Sequence, residues 1–423
     1  MILNIPVIPT LALISFIVLL GFIGDVIFKK TNVPSMIWLM LFGLLVGPIF
    51  GLLDINVIEL LTQFAALFST LAVIIILFDG GINMDLYKLF KGAPRGLLLS
   101  VSTFVLSVFA VALILVFFGF RTIDAFLLGS VIGGTSSPIV IPIILKTKGL
   151  RENTKIILSI ESAITDAMCI VLAMAIIQLI IIEESIGGPA SLGILIKELA
   201  STFSIGAMIG VSAGLIWTPL MHRVMKEKFS YVVTLSVLFL VYIITASIVG
   251  STGGTAAGAI ACFMFGIVLG NGKKIFNIIR YYHMGFEMDP RTKEYHSLMA
   301  FLIRTFFFVY LGLIVSINSV EIVILGVVLS AVLFFIRPIT VALSTRGASY
   351  FRPFDKKIMT VMMPRGLAAA VLAYLPYQML GNDIYRIFAD ITFVVIISTA
   401  IMSTVGFVYV MKKNSEKSIE KET

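Results

Sequence analysis

The sequence predicts an all-helical polytopic membrane protein with about thirteen transmembrane helices. Of its 423 residues, 59% are hydrophobic and 13% are charged, whereas about 25% are charged in soluble domains. Apolar runs of about 20 residues, the length that crosses a bilayer, recur along the whole chain with short polar connections. Two of these runs are interrupted near their middles by glycine and proline. We therefore expect one membrane-embedded domain, residues 1–423, in a lipid bilayer.

Thirteen apolar segments follow one another along the chain, and we expect the first to remain as a helix because it lacks signal-peptide features. The net charge of +8 lies in short clusters between segments, which argues against a nucleic-acid partner. A short polar tail, 412–423, follows the last segment. The segments are 8–29, 33–51, 57–79, 94–119, 122–145, 154–182, 190–218, 230–249, 255–271, 295–316, 320–344, 356–380 and 386–411.

Basic residues indicate the orientation in the membrane. Of the 31 Lys and Arg residues, 25 lie around the connections that follow odd-numbered segments or in the tail. Connections after even-numbered segments hold only Arg121 and Arg386. Because cytoplasmic loops are enriched in Lys and Arg, we expect a multi-pass plasma-membrane protein with its N-terminus outside and its C-terminus in the cytoplasm.

Segments five and twelve are interrupted by Gly133-Gly134-Thr135-Ser136-Ser137-Pro138 and by Pro364-Arg365-Gly366. They are seven segments apart, and an odd offset gives equivalent helices opposite orientations. We therefore expect inverted repeats of segments 1–6 (about 8–182) and 8–13 (about 230–411), with segment seven (190–218) as the linker. Paired interrupted helices in inverted repeats are typical of the binding sites of secondary transporters.

Segment six carries two acidic residues within the membrane, Glu161 and Asp166. Intramembrane acids are costly to insert and are functional candidates. Asp166 lies about 18 Å along the helix, near the middle of a core about 30 Å thick. Glu161 and Arg337 of segment eleven reach similar depths. We expect Asp166 to bind a cation and a proton in turn, and Glu161 to form a structural ion pair with Arg337, since a guanidinium stays charged.

Oxygen-bearing side chains share the predicted depth of Asp166. Ser162 lies on its face of the helix, Thr165 lies on the adjoining face, and Thr135 lies in the break of segment five. Sodium takes several oxygen ligands. We therefore expect an ion and proton site of Asp166, Ser162, Thr135, Thr165 and Glu161, with Asp166, Ser162 and Thr135 as the Na⁺ ligands.

Other polar residues in the predicted core have structural explanations. Ser136 and Ser137 fit equally well as ligands or as the cap and first turn of the second half-helix. Arg304 and Arg365 are deep cations, and Arg365 would offset the partial negative charge at the end of the first half-helix. His296 lies at a predicted helix end.

A repeated small-residue stripe in segment seven, Gly206, Gly210 and Gly214, indicates close helix packing. The sequence leaves open whether this packing is within the chain or between protomers.

The chain resembles the sodium/proton antiporters of the monovalent cation/proton antiporter superfamily, in particular archaeal and bacterial relatives of the eukaryotic exchangers. The resemblance spans essentially the whole chain. It rests on Leu77-Phe78-Asp79-Gly80-Gly81, Gly134-Thr135-Ser136-Ser137-Pro138, Ile141-Pro142, Glu161-Ser162-Ala163-Ile164-Thr165-Asp166, Arg304-Thr305-Phe306-Phe307, Leu311-Gly312, Arg337-Pro338 and Pro364-Arg365-Gly366.

The resemblance implies a homodimeric exchanger in which Asp166 binds ion or proton and Glu161 pairs with Arg337. Two positions depart from the family pattern. Thr165-Asp166 stands where the family has Asn-Asp or Asp-Asp, and Ser136 stands where an Asp often follows Thr135. Because threonine cannot carry a second exchangeable proton, we expect electroneutral exchange.

The predicted function is antiport of Na⁺ against H⁺ by alternating access. We expect no cofactor. We expect small monovalent cations as the transported partners, with Li⁺ and K⁺ as alternatives to Na⁺. A K⁺/H⁺ antiporter is one alternative. Another is a sodium-coupled symporter in which Arg304 or Arg365 binds an organic anion. The sequence has no HExxH motif and no close pair of histidines, so we do not expect an enzyme.

Overall fold

The computed structural model describes residues 7–31, 33–51, 55–84, 94–186, 192–224, 230–250, 253–278, 290–315, 319–348 and 350–419. These residues form α-helices joined by short connections. The helices are α1 (Val7–Thr31), α2 (Ser35–Leu44), α3 (Ile55–Asn83), α4 (Pro94–Phe117), α5 (Thr122–Ile132), α6 (Ser137–Lys146), α7 (Glu152–Ile186), α8 (Leu192–Val224), α9 (Ser230–Val249), α10 (Gly254–Gly270), α11 (Gly272–Ile278), α12 (Pro290–Ile314), α13 (Val320–Thr345), α14 (Pro353–Val361), α15 (Leu367–Leu380) and α16 (Arg386–Ile419).

The predicted all-helical membrane fold is confirmed. Within the described residues, eight helical spans are long and apolar enough to cross a membrane, and five shorter apolar helices accompany them. Helix ends differ where polar residues continue a helix beyond its apolar run. The last helix, α16, extends to Ile419 instead of ending at 411, because Lys412, Lys413 and the residues after them are compatible with a helix outside the membrane core.

The chain forms two compact units. The first unit comprises Met1–Ser69, Ala93–Asp166 and Phe301–Thr423, and the second comprises Thr70–Gly92 and Ala167–Ala300. Both interrupted segments belong to the first unit. There, α13 packs against α4 and α16, and α15 packs against α16.

In the second unit, α8 packs against α10 through the predicted glycine stripe. A Cβ atom on Gly206 would lie 2.6 Å from the carbonyl oxygen of Ala257, and one on Gly214 would lie 2.6 Å from Cβ of Val268. Gly210 approaches the Ala261 carbonyl in the same way. The stripe therefore serves packing within the chain, the first of the two possibilities that the sequence left open.

A buried polar cluster in the second unit differs from the sequence-based interpretation. His296 lies one and a half turns inside α12, which begins at Pro290, and its side chain is 5% exposed. Its Nε2 lies 3.1 Å from Oδ1 of Asp79, and its Nδ1 lies 3.1 Å from the hydroxyl of Tyr231. The apolar run of segment ten begins at 295, so the polar first turn of α12 was not predicted.

Candidate functional site

The two interrupted segments meet at their breaks. Segment five consists of α5, a non-helical stretch over residues 133–136, and α6; segment twelve consists of α14, a stretch over residues 362–366, and α15. The backbone nitrogen of Ser136 donates to the carbonyl of Pro364 at 2.8 Å. A side chain on Gly366 would overlap the hydroxymethyl group of Ser136. The contact therefore depends on glycine at this position.

Arg365 stabilises this contact from within the second break. Its guanidinium is buried and donates to the carbonyls of Gly133, at 3.1 Å, and Gly134. Its backbone nitrogen donates to Oγ1 of Thr399 at 3.1 Å. The carbonyls at the end of α5 lack helical partners, so a buried cation there satisfies them and offsets the negative end of the helix dipole. Arg365 belongs to segment twelve, but the half-helix whose negative end it offsets is α5, in segment five.

Asp166 lies on α7 beside the start of α6, and its side chain is half-buried. Its Oδ2 accepts a hydrogen bond of 2.7 Å from the hydroxyl of Ser137 and one of 3.3 Å from the backbone nitrogen of Ser137. The free N–H groups and the positive end of the dipole at a helix start favour an anion. The first turn of α6 therefore stabilises the charged carboxylate.

The sequence alone does not distinguish the role of Ser137 at the site from that of Ser136. The sequence pattern fits Ser136 and Ser137 equally well as cap or as ligand. In the structure, the hydroxyl of Ser137 binds Asp166, whereas that of Ser136 makes no capping hydrogen bond to α6. Proline at position 138, in the first turn of α6, was the available signal, because it fixes where the half-helix starts.

Thr135 and Thr165 hold the break of segment five against α7. Oγ1 of Thr165 accepts from the backbone nitrogen of Thr135 at 3.0 Å, and the two hydroxyls are 3.2 Å apart. Ser162 is fully buried, and its hydroxyl donates to the carbonyl of Ser159 at 3.2 Å. The structure thus brings Thr135, Thr165 and Asp166 together around the break, while the hydroxyl of Ser162 is bonded to its own helix.

Glu161 and Arg337 form a buried ion pair. Each side chain is 1% exposed, and Nη2 of Arg337 donates to Oε2 of Glu161 at 2.8 Å while Nη1 donates to Oε1. The other donors of Arg337 reach Oγ1 of Thr103 at 3.2 Å and the carbonyl of Met359 at 2.9 Å. The guanidinium therefore joins α4, α7, α13 and α14.

Arg304 lies on α12 and is half-buried. It lines a small cavity together with Ser35, Pro138 and Ile139, and its guanidinium lies 6.0 Å from the centre of the Phe301 ring. Arg304 therefore lies near the first turn of α6, on which Ser137 binds Asp166.

A repeated motif, Phe-Arg-x-x-Asp, precedes both breaks at the same spacing. In the first copy, Asp124 lies nine residues before Gly133. Asp124 is 1% exposed and accepts from Nε of Arg121 at 2.6 Å and from the hydroxyl of Tyr385 at 3.0 Å. Tyr385 follows α15, so this hydrogen bond joins the start of segment five to the end of segment twelve.

In the second copy, Asp355 lies nine residues before Pro364. It is fully buried and accepts from Nε of Arg352 at 3.0 Å and from the backbone nitrogen of Arg151 at 3.2 Å. Burial raises the pKa of Asp355, but the hydrogen bonds from Arg352 and Arg151 and the charge of Arg352 outweigh burial and lower it overall. Arg151 follows α6, so the start of segment twelve is joined to the end of segment five.

An all-helical membrane protein whose two interrupted helices meet beside an intramembrane carboxylate has the architecture of a secondary transporter. The chain matches the family described as sodium/hydrogen exchanger, transmembrane, over residues 13–413. It therefore belongs to that family.

Individual relatives are distant. The chain is 24% identical over 399 residues to the K⁺/H⁺ antiporter NhaP of Alkalimonas amylolytica, covering 92% of this chain and 64% of the relative. It is 24% identical over 357 residues to a probable Na⁺/H⁺ antiporter 2 of Methanocaldococcus jannaschii, covering 82% and 80%. The chain thus spans less than two thirds of the length of the first of these relatives.

Among solved structures, the sodium proton antiporter MjNhaP1 of Methanocaldococcus jannaschii at pH 8 has a similar fold. The TM-score is 0.69 with 20% sequence identity, and the match covers 95% of this chain and 96% of the other. The likeness establishes a shared fold.

Proposed function

We propose that the protein exchanges Na⁺ for H⁺ across the membrane by alternating access, with Asp166 as the shared site. Outward movement of sodium is driven by inward movement of protons. The observation that carries this proposal is the position of Asp166 at the contact of the two interrupted helices, where Ser137 donates to it at 2.7 Å. Family membership supports the same function.

The mechanism follows from the cost of an ionised carboxylate in the membrane core. A proton or a sodium ion neutralises Asp166, and the site changes the side from which it is open only in the neutral form. The hydroxyls of Thr135, Ser162 and Thr165 supply oxygens of the kind that sodium prefers. Because both ions use one carboxylate, binding of one excludes the other.

The structural residues of the proposal keep this geometry. Glu161 and Arg337 tie together the four helices around the site, while Arg365 and Ser136 hold the two breaks in contact. The two Phe-Arg-x-x-Asp motifs, with the same spacing to each break, support the proposal that residues 8–182 and 230–411 are inverted repeats with 190–218 as the linker.

The test is sodium-dependent dequenching of acridine orange in everted membrane vesicles. We expect Asp166→Asn to abolish the signal, because an amide neither releases a proton nor neutralises a cation. The matched control is Asp383→Asn, since the Asp383 side chain is 84% exposed. Unchanged exchange activity of the Asp166→Asn variant would contradict the proposal.

A separate proposal concerns stoichiometry. Thr165 precedes Asp166 and its hydroxyl is bonded to Thr135, so this position offers no second titrating carboxylate. We expect exchange of one sodium for one proton, without net charge movement. Exchange driven by a membrane potential, in proteoliposomes with no pH gradient, would contradict electroneutrality.

Potassium is the second candidate for the transported cation. The observation that favours it is the similarity to proteins named K⁺/H⁺ antiporters, from Alkalimonas amylolytica and Shewanella oneidensis. Ser136 also departs from the family's acidic residue beside the site. The vesicle assay with NaCl, LiCl and KCl in turn decides between the cations.

The proposed setting is the plasma membrane, with the N-terminus outside, the C-terminus in the cytoplasm and two copies of the chain in each assembly. The distribution of basic residues supports the orientation. The dimer follows the family resemblance. Labelling of single cysteines introduced at 121 and 346 from either side tests the orientation, and light scattering of the detergent complex tests the dimer.

A further inference from the structure

Two cavities of the first unit lie away from the candidate ion site and share a wall. The first has a volume of about 770 Å³ and the second about 460 Å³, and both are lined by Lys356 and Thr360. They lie between the end of α13, the beginning of α14 and the end of α16. We call them together the basic cleft; its lining also includes Arg346, Lys357 and Lys413 and the apolar or aromatic residues Val341, Phe354 and Tyr409.

The charged residues described in the lining of the basic cleft are all positive. Among the residues that the structure describes, its lining includes the cations Arg346, Lys356, Lys357 and Lys413 and no acidic residue. Four cations around adjoining cavities attract an anion, and the apolar residues between them favour a ligand that is partly hydrocarbon.

Local contacts position two parts of the cleft, the turn at Arg346 and the side chain of Lys413. Nη1 of Arg95 donates to the carbonyls of Ser344, at 3.1 Å, and Arg346, at 3.0 Å, which holds the turn after α13. Nζ of Lys413 lies 5.6 Å from the ring centre of Tyr409, one turn earlier on α16. These contacts hold the turn that carries Arg346 and bring Lys413 against Tyr409.

The basic cleft lies where a lipid headgroup would lie. The apolar spans Val320–Thr345 and Asp383–Asn414 end at it. Along the same helices, large apolar side chains are exposed: Phe335 is 71% exposed and Ile339 60% on α13, and Val405 is 64% exposed on α16. A basic pocket between membrane helices with an exposed apolar wall matches the two ends of an anionic phospholipid.

We propose that the basic cleft binds one anionic phospholipid, with its phosphate among Arg346, Lys356 and Lys413 and its acyl chains along α13 and α16. The interrupted segment twelve begins with α14, on which Lys356 and Lys357 lie. A lipid bound there contacts one of the two segments that form the candidate ion site. This proposal does not depend on which cation is transported.

The test measures lipid retention by the full-length protein in detergent, using native mass spectrometry with phosphatidylglycerol and phosphatidylcholine as probes. The variant is Arg346→Gln/Lys356→Gln/Lys413→Gln. The control, Lys197→Gln/Lys273→Gln/Lys274→Gln, removes three exposed cations elsewhere. Each cation near a lipid surface contributes up to about fivefold in affinity, so we expect the cleft variant to lose about tenfold or more of phosphatidylglycerol binding and the control less than about twofold.

Three results would overturn the proposal. They are retention of phosphatidylglycerol by the cleft variant, equal losses in both triple variants, and displacement of the lipid by millimolar inorganic phosphate, which would make a free anion the ligand. Should the triple variant unfold at a lower temperature than the wild type in phosphatidylcholine, Lys356→Gln alone replaces it, because Lys356 lines both cavities.

Discussion

Two carboxylates of α7, five residues apart, accept hydrogen bonds from different kinds of donor. Glu161 is 1% exposed and accepts two hydrogen bonds from the guanidinium of Arg337. Asp166 is half-buried and accepts from the hydroxyl and backbone nitrogen of Ser137. The guanidinium carries a permanent charge, whereas the donors on α6 are neutral.

The difference indicates how one helix carries both a structural and an exchangeable acid. A carboxylate bound bidentately to a buried guanidinium cannot take up a proton without leaving that cation uncompensated. A carboxylate held by neutral hydroxyl and N–H donors keeps further lone pairs, at which it can accept a proton or a cation while those donors stay bonded. We therefore expect substitutions at Glu161 to affect stability and substitutions at Asp166 to affect exchange.

The largest expected effect on stability is that of Glu161→Gln. It leaves the Arg337 guanidinium charged and buried, and breaking a buried ion pair costs about 3–5 kcal/mol. Thermal unfolding of the purified protein in detergent measures the loss. The double variant Glu161→Gln/Arg337→Met should recover part of it, since the unpaired charge is then gone.

Asp166→Asn is the comparison for that experiment. It keeps the shape of the side chain and the donors of Ser137, so we expect its unfolding temperature to stay near that of the wild type. Equal destabilisation by Asp166→Asn and Glu161→Gln would remove the distinction between the two acids.

Much of this arrangement could be predicted from the sequence, because it depends on depth and helical spacing. Counting 1.5 Å per residue places Glu161 and Arg337 at similar depths. The same count places the break of segment five at the depth of Asp166. Glycine and proline marked both breaks.

The rest depends on packing between segments that are far apart in the sequence. Nothing in the residues around 365 indicates that this arginine reaches the carbonyls of Gly133 and Gly134. Which of the neighbouring serines reaches Asp166 depends on where α6 starts and on how it packs against α7. The hydropathy run that begins beside His296 predicts a helix end there, whereas α12 begins at Pro290.

A third acid, Asp355, lies outside the membrane core. We expect its substitution to have an effect of intermediate size on the stability of the fold. Hydrogen bonds from Arg352 and Arg151 lower its pKa from the ordinary value of 3.8 despite burial. A lowered pKa in the folded state means that Asp355 stabilises the fold fully above about pH 4 and that this contribution is lost as the pH falls through the lowered value. Asp355→Asn should cost about 1–3 kcal/mol at pH 7.

Unfolding temperatures of the wild type and Asp355→Asn between pH 7 and pH 3 check this expectation. The gap between the two proteins should be constant down to about pH 4 and should narrow below it. Asp383→Asn, at an exposed acid, should show no gap at any pH. A gap that widens on acidification would mean that the sign of the Asp355 contribution is wrong.

Ser137→Ala has the smallest expected effect. It tests the hydrogen bond from Ser137 to Asp166. The substitution removes the hydroxyl that donates to Asp166 at 2.7 Å but leaves the backbone N–H at 3.3 Å. A hydrogen bond to a charged group contributes about 1.5–3 kcal/mol, and partial replacement by water reduces its net loss. We therefore expect the sodium concentration for half-maximal exchange to rise about three- to tenfold, with little change in the maximal rate.

The dependence of that rise on pH separates a role at Asp166 from a general disturbance of the fold. Without the hydroxyl, the ionised carboxylate is less stabilised, so protons compete more effectively with sodium, and the rise should be larger at pH 6.5 than at pH 8.5. Ser130→Ala is the matched control, because the buried hydroxyl of Ser130 donates to the carbonyl of Leu127 on its own helix. A rise that is the same at both pH values, or one shared by Ser130→Ala, would place the effect in helix packing instead of at the shared carboxylate.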